Sequence, residues 1–131
     1  CRLGCLGFGD CVAQCKFGAL SINEFGLAQI DADKCIGCGA CAKACPRNLI
    51  ALQPVSNHTI AIALCRNMEK GKAVRDVCMK GCISCRLCEK NCPEGAIDCS
   101  SGVAVINPLL CKGCGICQEK CPTKAIVMHE K

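Results

Sequence analysis

Large side chains are scarce in this 131-residue chain, which has no Trp or Tyr and only three Phe (Phe8, Phe17, Phe25). Basic residues therefore have almost no aromatic stacking partners, which argues against single-strand nucleic-acid binding. No run approaches the roughly 18 apolar residues of a membrane span, and no charged-then-apolar signal segment opens the chain. A glycine fingerprint for nucleotides is also missing, because no G-x-G-x-x-G stands between a strand and a helix. There are two histidines, His58 and His129. Neither has a nucleophile–acid partner in the sequence, and His129 reads as part of a solvated C-terminal tail. A catalytic site for bond chemistry is thus not expected here. The start on Cys1 suggests a fragment or a processed product, with an anchor upstream left open.

What the chain has is cysteine, 19 of them. Without these, the 51% hydrophobic fraction falls to roughly 48 apolar residues, thin for two cores. A fold of this kind needs covalent or metal cross-links. Spacing chooses between the two. Cys35, Cys38, Cys41 and Cys45, followed by Pro46, form a C-x2-C-x2-C-x3-C-P run. The run recurs at Cys82, Cys85, Cys88, Cys92, Pro93 and at Cys111, Cys114, Cys117, Cys121, Pro122. Disulfides tie distant segments together, whereas three thiols on one tight loop cannot pair usefully, and an odd total cannot pair fully. Structural zinc usually takes two ligands from each of two separated pairs. A cubane iron–sulfur cluster, in contrast, needs three thiolates wrapped around one compact body. Small residues between the ligands (Gly37, Gly39, Ala40, Gly113, Gly115) let the backbone approach and aim N–H groups at sulfur. The fourth cysteine of such a run ligates the other cluster of a pair, and the proline after it ends the short helical turn. Cys78, Cys82 and Cys85 also match the cluster loop of radical S-adenosylmethionine enzymes, but the barrel those enzymes need, typically over about 200 residues, does not fit this chain.

The chain repeats with a period near 77 residues. Cys1, Cys5, Cys11 and Cys15 map onto Cys78, Cys82, Cys88 and Cys92, and Cys35–Cys45 map onto Cys111–Cys121. One position breaks the match, because Phe8 stands where the second half has Cys85. We expect Cys1 to take over as the third local ligand, with Gly7 and Gly9 supplying slack for a longer loop. The alternative is a spare Cys1 and a three-iron or damaged cluster. The crossed ligands then define four [4Fe-4S] sets. Cluster one takes Cys1, Cys5, Cys11 and Cys45; cluster two takes Cys35, Cys38, Cys41 and Cys15. Cluster three takes Cys82, Cys85, Cys88 and Cys121; cluster four takes Cys111, Cys114, Cys117 and Cys92. Of the remaining thiols, Cys99 reads as a small buried hydrophobe. Cys65 and Cys78 bracket a helix and are free thiols or a redox-active pair.

Short apolar stretches predict hairpins at 19–22 with 27–30 and at 96–99 with 103–106. Closing strands are expected at 49–52 and 125–128, a strand at 59–64 and a helix at 67–77. A boundary near 54–58 divides the chain into a module at 1–56 and a second at 57–131, whose first part (57–78) is a strand–helix extension.

The paired loops and their hairpins resemble two bacterial dicluster ferredoxin modules in tandem, which implies a small α+β fold. The opening element Arg2-Leu3-Gly4-Cys5-Leu6-Gly7-Phe8-Gly9-Asp10-Cys11 is similar to the B-subunit of the Rnf-type electron transport complex. So is the stretch from Cys65 through Lys70, Gly71, Lys72, Val74, Cys78 and Gly81 to Cys82, Ile83, Ser84 and Cys85. Lys16 departs from the pattern by standing where the motif has proline. The resemblance implies an electron relay at the cytoplasmic face of a membrane, in a complex that couples electron flow between ferredoxin and NAD to ion transport. Its partners would be ferredoxin and other complex subunits, with membrane association only through a missing anchor or those subunits. A free-standing soluble polyferredoxin, the relay domain of a larger iron–sulfur oxidoreductase and a structural zinc protein are the other readings. Arg66, Lys70, Lys72, Arg75 and Lys80 form a basic stretch, either a solvated helix face or a docking patch for an acidic ferredoxin. The formal charge of +5 changes sign with the metal counted: sixteen thiolates and four oxidised cores bring it to about −3.

Overall fold

The computed structural model describes residues 1–54 and 59–129. The chain forms two compact units, Arg2–Gln53 and Pro54–Lys131, the second taking Cys1 with it. Of the boundary expected at 54–58, residues 55–58 lie outside the described residues, as does His58.

In the first unit, α1 (Asp10–Gln14) is followed by β1 (Leu20–Ile22), β2 (Ala28–Ile30) and α2 (Ala40–Ala44). The two strands form an antiparallel hairpin with Leu20 opposite Ile30 and Ile22 opposite Ala28. Its turn is built on Asn23, whose Oδ1 accepts the N–H groups of Phe25 and Leu27 at 3.0 Å, a local bond that favours turns over strand. Helices α1 and α2 pack on each other. The buried apolar interior is small: Cys11, Ala19 and Leu20.

The second unit begins with β3 (Ile60–Ala63) and α3 (Gly71–Val77). It then repeats the order of the first unit as α4 (Leu87–Asn91), β4 (Ile97–Asp98), β5 (Val105–Ile106) and α5 (Ile116–Lys120), and ends in β6 (Ile126–His129). β3 pairs antiparallel with β6 from Ile60 opposite His129 to Ala63 opposite Ile126. The core gathers Ile60, Ala61, Ile97, Ala104 and Ile126 with the sulfurs of Cys88, Cys99, Cys111 and Cys117. Both hairpins extend one bond beyond the strands in the same way, Asp31 N–H to Ala19 O (2.7 Å) and Asn107 N–H to Ala96 O (2.8 Å).

Four expectations need correction. Residues 49–52 form no strand. A strand needs a partner, and Arg2–Gln53 has no counterpart of β3 among the described residues, whereas β6 has β3 itself. The helix expected over 67–77 starts only at Gly71, because the Asn67 Oδ1 accepts the Glu69 N–H at 2.8 Å and holds a turn instead. The second hairpin is shorter than 96–99 with 103–106, since the Cys99 N–H goes to Glu89 Oε1 (3.3 Å) and the Ser100 N–H to Asp98 Oδ1 (2.8 Å). His129 is not in a loose tail; it is the half-buried last residue of β6.

Gly113 shows how tightly the second unit closes. Its φ is +73°, and a Cβ there would lie 2.1 Å from the Thr59 carbonyl oxygen, whereas Gly115 at φ +78° faces open space. Gly113→Ala therefore combines left-handed strain with a backbone clash and is expected to cost about 2–4 kcal/mol. Gly115→Ala, carrying the strain alone, should cost about 1–2 kcal/mol. Comparing the temperatures at which the two variants lose their visible absorbance checks the order.

Candidate metal centres

The four cysteine loops share one backbone. Each carries two left-handed residues flanking the middle position: Gly7 and Gly9, Gly37 and Gly39, Ser84 and Arg86, Gly113 and Gly115. The second of each pair is the N-cap of a five-residue helix (α1, α2, α4, α5). Ser84 and Arg86 adopt this shape without being glycine, at a cost of about 1–2 kcal/mol each, so the loop conformation is imposed by its surroundings. This corrects the expected role of Gly7 and Gly9. They occupy the two left-handed positions that every loop has, and the spacing from Cys5 to Cys11 equals that from Cys35 to Cys41. The first loop is not longer; Phe8 simply stands at the middle position. That position is open to solvent, since Phe8 is 80% exposed and Cys38, Cys85 and Cys114 are exposed as well.

Each helix ends on the fourth cysteine of its run. Cys15, Cys45, Cys92 and Cys121 all leave the helix in extended conformation. Lys16 in place of proline does not change this, so proline is sufficient for the exit but not required. Three residues later comes another left-handed residue, Gly18, Asn48, Gly95 or Lys124. The turn it makes sends the next N–H back at sulfur: Leu49 to Cys45 at 3.4 Å, Ala96 to Cys92 at 3.4 Å, and Ala125 to Cys121 at 3.3 Å. Around Cys15, the N–H groups of Phe17 and Ala19 hold the thiol below its ordinary range. At Cys45 burial pushes upward, but the N–H groups of Leu49, Arg47, Ile50 and Asn48 together outweigh it and the thiol ends low. At Cys121 burial is likewise outweighed, here by Ala125 and Thr123. These concave N–H arrays stabilise negative sulfur before any metal arrives.

The third cysteines behave oppositely. Cys88 is pushed up to about 12 by burial and then by neighbouring Cys99 and Cys82. Burial also raises Cys11, with Cys5 and Cys45 among its neighbours, and Cys117, with Cys111 and Cys114 beside it. A buried thiol of this kind gives up its proton only to a positive body, so metal loading and deprotonation are coupled.

Two cavities show which loops meet. One is lined by Cys111, Cys114 and Cys117 together with Cys92, and leaves about 350 Å³ open. The other is lined by Cys35, Cys38 and Cys41 together with Cys15, and leaves about 400 Å³ open. Part of each space is continuous with solvent. Leu52, from the segment that forms no strand, lines the second cavity beside Gly39. Ala61 of β3 lines the first and donates its N–H to Cys111 Sγ at 3.4 Å. In the second cavity the side-chain donors are sulfur only, among Ala, Leu, Ile, Phe and Gly, whereas the wall of the first also includes Glu94 and Lys112. Soft thiolates suit iron–sulfur clusters or zinc. Among the described residues no three Cys, His, Asp or Glu side chains converge on a point as one ion requires. Four cysteines spread around one cavity suit a multi-iron body.

Of the other two expected sets, only some members are brought together: Cys5 and Cys45 lie near Cys11, and Cys82 lies near Cys88. Cys1 groups with Pro54–Lys131, where the buried Asn67 amide Nδ2 lies 3.6 Å from its Sγ. Cys65 Sγ accepts the Asn67 backbone N–H at 3.4 Å, and Cys78 caps the C-terminus of α3. Cys99 is a buried small residue, yet its sulfur touches a proposed ligand: Cys88 Sγ is 3.9 Å away. No spacing rule could have located that contact or the N–H arrays, because both depend on where β4 and the left-handed turns fall.

The family description "4Fe-4S dicluster domain" matches residues 1–49 and again 34–96, and "4Fe-4S binding domain" matches 104–127. The chain is 44% identical over 126 residues to the B-subunit of the ion-translocating oxidoreductase complex of Methanosarcina acetivorans, covering 96% of this chain and 47% of that protein. It is 44% identical over 111 residues to the B-subunit of the proton-translocating ferredoxin:NAD(+) oxidoreductase complex of Clostridium ljungdahlii (85% and 38%). The same identity holds over 82 residues of the B-subunit of the Na(+)-translocating ferredoxin:NAD(+) oxidoreductase complex of Acetobacterium woodii (63% and 24%). The chain spans between a quarter and a half of the length of these relatives. The two dicluster matches overlap on 34–49, so the second loop is grouped with the first in one match and with the third in the other. The cavities pair the second loop with Cys15, and the repeated loop, crossed thiol and N–H turn have one common source: the chain belongs to the 4Fe-4S dicluster domain family and carries four [4Fe-4S] clusters.

Proposed function

We propose that the chain relays single electrons within a membrane-associated ferredoxin:NAD oxidoreductase complex of the Rnf type. The observation that carries this reading is the crossing of cysteines between loops. Cys15 stands in the wall of the Cys35–Cys41 cavity and Cys92 in that of Cys111–Cys117, so neighbouring centres share a few covalent bonds of backbone. The names of the 44% identical relatives support the choice of complex. A [4Fe-4S] cluster supplies one-electron storage when bound. The chain's own residues do the rest: sixteen cysteines in the four sets given above hold the clusters, backbone N–H groups offset charge at sulfur, and small apolar side chains limit water. Bond chemistry belongs to other subunits in this reading. No helix among the described residues is long and apolar enough to cross a membrane, so attachment at the cytoplasmic face is proposed to come from partner subunits or from an anchor outside this chain.

Arg66, Lys70, Lys72, Arg75 and Lys80 are all exposed on and around α3, which supports ferredoxin docking there. Because the metal-loaded molecule is acidic overall, the attraction has to be local. Rapid mixing of the holo-protein with reduced ferredoxin at low salt tests both claims. We expect reduction within the mixing experiment, slowed about tenfold or more by a Lys70→Ala, Lys72→Ala, Arg75→Ala variant and by added salt. A rate indifferent to charge would end the docking proposal, and no electron transfer at all would end the relay reading.

A further inference from the structure

Cys99 lies outside all four loops, and its counterpart in the first half is Ile22. The repeat therefore provides no ligand role for it. The structure nevertheless buries it to 1% exposure, while Ile22 is 36% exposed. Its sulfur is 3.9 Å from Cys88 Sγ, inside the core that also holds Ala96, Ile97 and Ala104. The backbone on both sides is fixed. The Cys99 N–H donates to Glu89 Oε1 at 3.3 Å, and its carbonyl accepts the Gly102 N–H at 3.1 Å. Gly102 in turn has no room for a Cβ, which would meet the Met68 carbonyl oxygen at 2.9 Å. The thiol is thus held against Cys88 by a closed loop.

We propose that Cys99 is a positioning and tuning residue that donates an S–H hydrogen bond to the Cys88 thiolate and raises the reduction potential of the cluster Cys88 helps to hold. The inference rests on the assignment of Cys88 to cluster three. A ligating Cys88 carries no proton, so in this pair only Cys99 can donate. Two adjacent thiolates in an apolar core would repel at this distance, which keeps the proton on Cys99. A donor aimed at a ligand sulfur favours the more negative, reduced state, as hydrogen bonds to cluster sulfurs do. With Ile at the corresponding place, cluster one receives no such bond, so two centres with equivalent loops acquire different potentials.

Three variants of the full holo-chain separate donation from packing. Cys99→Val fills the site with a slightly larger apolar group and no donor, Cys99→Ala removes both bulk and donor, and Cys99→Ser restores a donor. After iron and sulfide analysis, paramagnetic resonance is followed through a redox titration. We expect Cys99→Val and Cys99→Ala to shift the reduction of one cluster in four toward the oxidised form by about three- to tenfold, tenfold being 59 mV for one electron. Cys99→Ser should recover most of the shift. Unmoved potentials in the Val and Ala variants at full iron content would overturn the role of Cys99. So would a shift in Ala without one in Val, or a Ser variant no better than Val. A Cys88→Ala variant that kept all four clusters would instead overturn the ligand assignment, and this inference with it.

Discussion

Replacing Cys92 by alanine is expected to remove the cluster of the last loop, not that of its own. Cys92 ends the run that begins at Cys82, but the motif assigns such a fourth thiol to the other cluster of the pair. In the folded chain it lines the cavity of Cys111, Cys114 and Cys117. The Ala96 N–H donates to its sulfur at 3.4 Å, so the sulfur has a hydrogen-bonded place in that wall. Iron should fall from about sixteen to about twelve per chain. The lost paramagnetic signal should be the one lost in Cys114→Ala, while Cys85→Ala removes a different one. Cys15→Ala should reproduce the loss seen in Cys38→Ala by the same geometry. If Cys92→Ala and Cys85→Ala lost the same signal, the crossed assignment would be wrong. The same count decides Cys1: Cys1→Ala should lose iron or leave a three-iron signal, and an unchanged content would make Cys1 a spare thiol.

Removing iron altogether should unfold the first unit and leave part of the second. Arg2–Gln53 buries Cys11, Ala19 and Leu20, and burying a whole Leu side chain contributes only about 1.5–3 kcal/mol. Ordering each residue costs about 1–2 kcal/mol, so these side chains compensate for very few of them. Its helices have five residues each, far below the ~12–15 needed for a helix to persist alone. The clusters must therefore supply the missing free energy, as structural metals do in small domains. Pro54–Lys131 also has β3 paired with β6 along four residues, and it buries Ile60, Val74, Ile97 and Ile126. With a chelator under oxidising conditions, we expect amide exchange protection to vanish across 2–53 and to survive weakly in β3 and β6. More than about half of the far-ultraviolet helix signal should go with the visible colour. An iron-free chain that still melted cooperatively with residues 2–53 protected would show that the clusters are passengers in the fold.

The cysteine runs were legible because a cluster needs thiols at fixed short intervals, and an interval is written directly in a sequence. The same holds for the duplication and for the hairpin around Asn23, whose side chain makes its own turn. Features set by contact between distant segments were not legible. Residues 49–52 and 125–128 carry the same apolar pattern, but only the latter met a partner strand. The N–H arrays at Cys15, Cys45 and Cys121 depend on left-handed residues, two of them the non-glycines Asn48 and Lys124, and no propensity points to Lys124. Gly7 and Gly9 looked like slack until the backbone of all four loops could be compared.

By itself, then, the sequence determined the chemistry: which atoms can bind metal, in how many loops, and that the apolar residues are too few to hold the fold alone. The duplication already proposed which loops pair; only the tertiary structure decided how they meet. The dicluster description matches both 1–49 and 34–96, so that pattern by itself leaves the second loop two neighbours. The choice is made by α1 packing on α2 and α4 on α5, because helix packing within a unit carries a fourth thiol across to one neighbouring loop. The contact of β4 with α4 likewise brings Cys99 against Cys88, turning a thiol that no motif claims into a neighbour of a cluster ligand.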